Sequence, residues 1–187
     1  MNATIRTLLE RRSVRSFDTA KKAEERVLTE IVKAGAYAPS AMNRQAWHFT
    51  VIENSRILLD LNAAVKSIAS QSEEERIRSR STDDTYNFYY NAPALIVVSM
   101  SDNALYPRED TGCCMQNMMI AATSLGVGTC WINQLGNGAS EQHCVREVLD
   151  RAGVPAGNKV YAALAVGYAL KSPPLKDRVH GVVNFVK

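Results

Sequence analysis

The sequence predicts an α+β fold in which helices pack around one sheet. Three observations lead there. Apolar stripes at helical spacing interleave with short runs that read as strands. Residues 94–100, Ala-Leu-Ile-Val-Val-Ser-Met, are apolar with almost no alternation, as in a strand covered on both faces. Residues 109–125 carry the longest helical pattern and are apolar almost all round, which marks a helix in the centre of a core or in an interface.

The elements follow in chain order. Ile5, Leu8 and Leu9 fall at i, i+3 and i+4 and give a first helix over residues 3–11. Val27, Leu28, Ile31, Val32 and Gly35 share one stripe of a second helix. It ends near Ala38, because Pro39 disfavours helical geometry in the residue before it. Phe49, Val51 and Ile52 mark a strand over residues 48–53. Ser55 is placed to cap a third helix carrying Leu58, Leu61, Val65 and Ile68. Residues 70–86 are polar and charged and read as an exposed helix or a mobile loop. After the buried strand, the long helix carries Cys113, Met115, Met118, Ile120, Ala121, Ala122 and Leu125, with Gly126 as its C-cap. Residues 129–133 form a short strand, and Val145, Val148 and Leu149 mark another helix. Residues 159–168 give a strand ending at Gly167, and residues 182–186 a last strand.

Composition bounds the function. The 187 residues, 46% hydrophobic, suit a single domain over residues 1–187 with a real core. No apolar run reaches the roughly 18 residues of a spanning helix, so no membrane partner is expected. The first residues lack the apolar stretch of a signal peptide, so a cytoplasmic location is expected. Cys113, Cys114, Cys130 and Cys144 form no C-x-x-C pair, and His48, His143 and His180 are scattered. Reduced thiols and no metal site are expected. The net charge of +3 is too small for a nucleic-acid binder. Its placement is more telling: residues 1–33 and 171–187 each carry +3, and the stretch between them −3. The two ends can serve one small anion if they meet in space.

Four segments are able to carry chemistry. Arg11, Arg12, Ser13, Arg15 and Ser16 follow the first helix and offer the forked donors that suit a phosphate. Such a cluster is equally a solvated basic helix end. Residues 38–49 gather Ser40, Asn43 and Gln45 ahead of Trp47, amides and a hydroxyl that match the edge of a heterocycle; an ordinary helix–strand turn has the same look. Gln116 and Asn117 lie inside the apolar helix and need partners. They are followed by Gly126-Val127-Gly128 and Asn133-Gln134, where the glycines read as a turn and not as a dinucleotide fingerprint. Pro173-Pro174 leads to Lys176 and Arg178, two more cations or a solvated tail. There is no P-loop, no nucleophile elbow and no acid–base dyad, so in an enzyme of this sequence a cofactor does the chemistry.

Taken together, the four segments resemble the FMN-dependent nitroreductase family. Its opening Arg-Arg-Ser-x-Arg-x-Phe is matched at residues 11–17, and its Ala-Pro-Ser-x-x-Asn-x-Gln-Pro-Trp-x-Phe at residues 38–49, with Ala46 in place of the second Pro. The Gln-Asn helix with Ala-Ala-x-x-Leu-Gly-x-Gly is matched at residues 116–128, and the Gly-Tyr strand end with Lys-x-Arg at Gly167, Tyr168, Lys176 and Arg178. The resemblance implies a three-layer sandwich, a central mixed or antiparallel sheet flanked by helices, and an intertwined homodimer with FMN at its interface. It implies that Arg11, Ser13, Lys176 and Arg178 hold the FMN phosphate, with Arg12 in the same cradle. Arg15 would approach the N1/O2 edge of the flavin. Pro39, Ser40, Ala41 and Asn43 would reach the partner's flavin, and Asn133 and Gln134 would present backbone N–H groups to flavin N5. Asn62 or Lys66 would meet the pyrimidine edge. Asn133-Gln134 stands where many relatives carry Gly or Glu-Gly. No side chain is assigned a catalytic role. The implied activity is ping-pong, two-electron reduction of nitroaromatic, quinone or similar flat acceptors by NAD(P)H. The alternatives are a flavoenzyme of the same fold with another acceptor, such as a dehalogenase or enone reductase, and a non-catalytic FMN-binding or sensing protein.

Overall fold

Strands β1 (Trp47–Ile52), β2 (Ala94–Met100), β3 (Gly128–Ile132) and β4 (Lys159–Gly167) pair antiparallel in the order β1-β2-β4-β3. The computed structural model describes residues 1–187 except Asn137, Ser172, Lys176, Asp177, Val179, His180 and Lys187. The register runs from Trp47 opposite Met100 to Ile52 opposite Leu95, and Ala94 lies opposite Val166. The central strand β2 is buried at every position, because β1 and β4 take its two edges and helices take its faces.

The helices among the described residues are α1 (Ala3–Glu10), α2 (Glu25–Ala36), α3 (Ser55–Ser70), α4 (Glu75–Thr82), α5 (Pro107–Ser124) and α6 (His143–Arg151). They divide the core in two. Leu95, Val97, Ala163 and Ala165 pack with Leu58, Leu61 and Val65 of α3 and Val145 and Leu149 of α6. Ile96, Val98, Leu164 and Val166, whose side chains alternate to the other face, pack with Leu28 and Ile31 of α2 and Met115 and Met118 of α5. This is the expected three-layer sandwich.

Local chemistry sets the element ends. Asn54, not Ser55, caps α3: its Oδ1 accepts the N–H groups of Arg56 and Ile57 at 3.0 and 3.2 Å. Both residue types cap well, and the chain reaches extended geometry one residue earlier than expected. Pro107 opens α5, where its missing N–H costs nothing. Gly126, at φ +73°, closes it. Val127 N–H returns to Ala122 O at 2.8 Å and Gly126 N–H to Thr123 O at 3.1 Å, the paired bonds of a Schellman end. Residues 70–86 hold the exposed helix, α4.

The expected strand over residues 182–186 does not form: these residues lie outside any strand, with Val182, Val183, Phe185 and Val186 exposed. A strand needs a ladder partner, and within one chain no sheet edge reaches them.

Candidate functional site

The segment after α1 is laid along the outer edge of β3. Ser13 bridges Thr129 in parallel, and Val14 N–H donates to Thr129 O at 2.8 Å. A second clasp fixes the chain leaving β4. Asp18 N–H donates to Tyr168 O at 2.8 Å, Leu170 N–H to Ser16 O at 3.0 Å, and Phe17 bridges Ala169. The clasp starts the C-terminal segment beside the segment that follows α1. Burial, then the neighbouring charges of Arg178 and Arg12, hold the pKa of Arg11 below its ordinary value. No ion pair joins Arg11, Arg12, Arg15 or Arg178 to an acid among the described residues. Neighbouring guanidiniums without a paired carboxylate among the described residues raise the local positive potential, which suits an anion.

The cluster has a floor the sequence did not reveal. Cys130 is buried on β3 beside Arg11 and Arg15; burial raises its thiol pKa, and the two guanidiniums oppose that. Arg15 lies over the Tyr90 ring, 5.8 Å from its centroid, and its hydrogen bond to Tyr90 raises its pKa. Tyr90 itself sits at φ +57°. The only signal for it was a tyrosine-rich run before the buried strand.

Arg12 turns the other way. Its Nη1 donates to Leu9 O and Arg11 O at 3.0 and 2.7 Å, closing the C-terminus of α1. Lys176 lies outside the described residues.

Residues 40–45 form a tight exposed loop that enters β1. Ser40 Oγ accepts the Gln45 N–H at 3.0 Å, and Gln45 Nε2 donates to Asn43 Oδ1 at 2.9 Å. Met42, Asn43 and Gln45 all have left-handed φ, at 52°, 53° and 48°. Each such residue costs on the order of 1 kcal/mol, and strain of this kind persists only where the surroundings impose it. The anchor is Asp110, buried in the first turn of α5: its Oδ1 accepts the Ala41 N–H at 3.0 Å. A carboxylate at the start of an apolar helix was visible in the sequence, but nothing linked it to a loop 69 positions away. Pro39, Ser40, Ala41 and Asn43 therefore belong to the β1 edge, and Arg11, Ser13 and Arg15 to the β3 edge. Three strand spacings, about 14 Å, separate these edges. One chain does not bring the two groups together.

Asn133 and Gln134 follow β3 directly. Gly136 N–H donates to Asn133 O at 3.1 Å, and Gln134 Nε2 reaches Tyr86 Oη at 3.4 Å. Gly136 presses so closely on β4 that a Cβ would overlap the Tyr161 carbonyl. Asn62 and Lys66 are turned to structure: Asn62 Oδ1 accepts the Phe88 N–H at 3.1 Å, and Lys66 Nζ donates to Asp83 O at 2.8 Å. Asn117 Nδ2 donates to Ala34 O at 3.1 Å and ties α5 to α2, a core partner of the expected kind.

The fold is a three-layer α+β sandwich with arginines at one sheet edge and a strained polar loop at the other. The chain belongs to the nitroreductase family, whose pattern matches residues 8–168. A crystal structure of a nitroreductase with bound FMN from Bacteroides fragilis is similar with a TM-score of 0.92 and 39% identity, covering 100% of both chains. The NADPH-flavin oxidoreductase of Vibrio harveyi is 27% identical over 186 residues, 98% of this chain and 74% of that protein. The iodotyrosine deiodinase of Thermotoga neapolitana is 25% identical over 186 residues, 94% and 93% of the two chains.

Proposed function

We propose that this protein is an FMN-dependent oxidoreductase that uses NAD(P)H to reduce nitroaromatic, quinone or similar flat acceptors in a ping-pong cycle. The observation that carries this reading is that Arg11 and Arg178, from opposite ends of the chain, lie near enough for their charges to act on one another, and neither is paired with an acid among the described residues. That donor set, with Ser13, fits a phosphate monoester. Bound FMN would supply the hydride and electron transfer between the two substrates. The chain's own residues bind and orient. Arg11, Ser13 and Arg178 hold the phosphate, with Lys176 joining them. Arg15, steadied on Tyr90, sets a cation at the pyrimidine edge. Asn133 and Gln134 offer backbone donors at the reactive edge.

The same reading makes the protein a homodimer. Pro39, Ser40, Ala41 and Asn43 serve the flavin held by the partner's cradle, since they sit at the wrong edge of the sheet for their own. The exposed Ile5, Leu8 and Leu9 of α1, which packs on α5, supply apolar surface for that contact.

The test is the absorption spectrum of the purified protein. A yellow protein that bleaches anaerobically with NADH or NADPH and recolours with a nitroaromatic is expected. A protein that stays colourless after incubation with FMN contradicts the reading. Similarity to a deiodinase keeps one second reading in view, a dehalogenase on the same fold. Reduced protein that is reoxidised by iodinated or brominated phenols faster than by nitroarenes would favour it. Tight FMN with very slow reduction by either nucleotide would favour a flavin-binding sensor.

A further inference from the structure

Between α3 and α4 lies a cavity of about 540 Å³, within the range of small-molecule sites. Its lining is apolar at Val65 and Ile68 of α3 and Ile77 of α4, and Asn133 and Gln134 also line it. Among its described lining residues Arg80 is the one charged side chain. Its guanidinium sits over the Tyr86 ring, 5.4 Å from the centroid. Tyr86 Oη in turn meets Gln134 Nε2 at 3.4 Å. No carboxylate pairs with Arg80 among the described residues, although Glu73, Glu74 and Glu75 stand at the start of the same helix. The other arginines of α4 are placed differently: Arg76 and Arg78 are exposed, and Arg78 is spent on the carbonyls of Ser72 and Glu73.

A half-buried guanidinium held on an aromatic face, in an apolar-walled cavity without a counter-charge, attracts an anion more strongly than one in open water does. We propose that this cavity is the acceptor subsite, and that Arg80 selects flat aromatic acceptors bearing a carboxylate or comparable anionic substituent. The inference rests on the reading that Asn133 and Gln134 border the flavin. The acceptor ring lies against Val65, Ile68 and Ile77, and its anion meets the Arg80 fork. Tyr86 fixes the guanidinium and, through Gln134, links it to the loop after β3. A neutral ring of the same shape gains only the apolar wall.

The test compares 4-nitrobenzoate with 4-nitrobenzamide, near-isosteres that differ in charge, as acceptors for the FMN-loaded protein with NADPH. The wild type favours 4-nitrobenzoate in kcat/KM, through KM. Arg80→Gln lowers the nitrobenzoate-to-nitrobenzamide ratio about tenfold, and Arg80→Lys, which keeps the charge, restores most of it. A ratio unchanged by Arg80→Gln overturns the proposal, as does a wild-type preference for the amide. Benzoate binding measured by calorimetry on the same proteins reads the cavity without turnover: Arg80→Gln weakens it about tenfold, and equal affinity for both proteins overturns the subsite. Failure to reduce either acceptor while benzoate binding still depends on Arg80 would count against the flavoenzyme reading and leave the anion subsite standing.

Discussion

Gly136 is the residue whose identity is most tightly dictated by its surroundings. Any side chain there meets the Tyr161 carbonyl of β4, so Gly136→Ala must push the loop carrying Asn133 and Gln134 off the sheet. If Asn133 and Gln134 supply donors at the reactive edge, as proposed, a displacement of about 1 Å costs on the order of 100-fold in rate. Gly136→Ala is therefore expected to keep its far-ultraviolet circular dichroism and lose about 100-fold in NADPH-dependent turnover; unchanged turnover would remove Asn133 and Gln134 from the site. Two of the cysteines also separate cleanly. Burial pushes the Cys114 thiol up to about 12, whereas Cys144 is exposed. Maleimide at neutral pH should label Cys144 in the native protein and Cys114 only after unfolding, as mass spectrometry of the peptides would read. At this scale the sequence was informative about charge and poor about neighbours. Arg11 and Arg15 were singled out as candidates by type and spacing. Cys130, Tyr90 and Asp110 were not, because their roles depend on contacts that cross the fold. Arg12 looked like Arg11, yet Arg12 closes the end of α1 while Arg11 lies beside Cys130 and near the charge of Arg178.

Among the elements, the α3–α6 contact carries a pH signature. Asp60 on α3 pairs with Arg56 one turn on the N-terminal side at 3.0 Å and with Arg151 on α6 at 2.9 Å. The hydrogen bond from Arg151, then the charges of Arg56 and Arg151, hold its pKa below the ordinary carboxylate range. A depressed folded-state pKa gives stability that is full above the unfolded-state value and is lost as pH falls through the folded-state value. Asp60→Asn should therefore lower Tm at neutral pH, by a few degrees at most for so exposed a pair. The gap from the wild type should close in acid, and a gap that persists there would assign the loss to packing. The 40–45 loop makes a second claim at this scale. Its left-handed residues stay in place because Asp110 holds Ala41, so Asp110→Ala should weaken FMN binding about tenfold, in line with losing one charge-assisted bond. Fluorescence titration of the apoprotein measures this directly, and unaltered affinity would release the loop from the site. Element types and order were legible from periodicity, down to the buried β2. Two segments escaped it: residues 70–86, left open between helix and loop, hold α4, and residues 182–186, apolar and strand-like, find no edge within one chain.

For the whole molecule, sheet topology is the governing feature. The sheet order β1-β2-β4-β3 puts Arg11, Ser13 and Arg15 and the 40–45 loop on opposite edges, so the proposed FMN site, if it uses both, takes two chains. Sedimentation should give twice the 20.6 kDa chain mass, with one FMN per chain; a monomer that still binds FMN tightly would contradict the shared site. The charge asymmetry of the sequence left open whether its ends meet; backbone bonds between residues 16–18 and 168–170 set the chain leaving β4 beside the segment after α1. The most direct measurement sets FMN against riboflavin, which lacks the phosphate. The account predicts that Arg11→Gln with Arg178→Gln weakens FMN binding by about 100-fold or more, from two lost charge-assisted contacts of about 1.5–3 kcal/mol each, and moves riboflavin by less than about threefold. Equal losses for the two ligands, or an FMN affinity that does not change, would show that the two ends of the chain do not close on the phosphate.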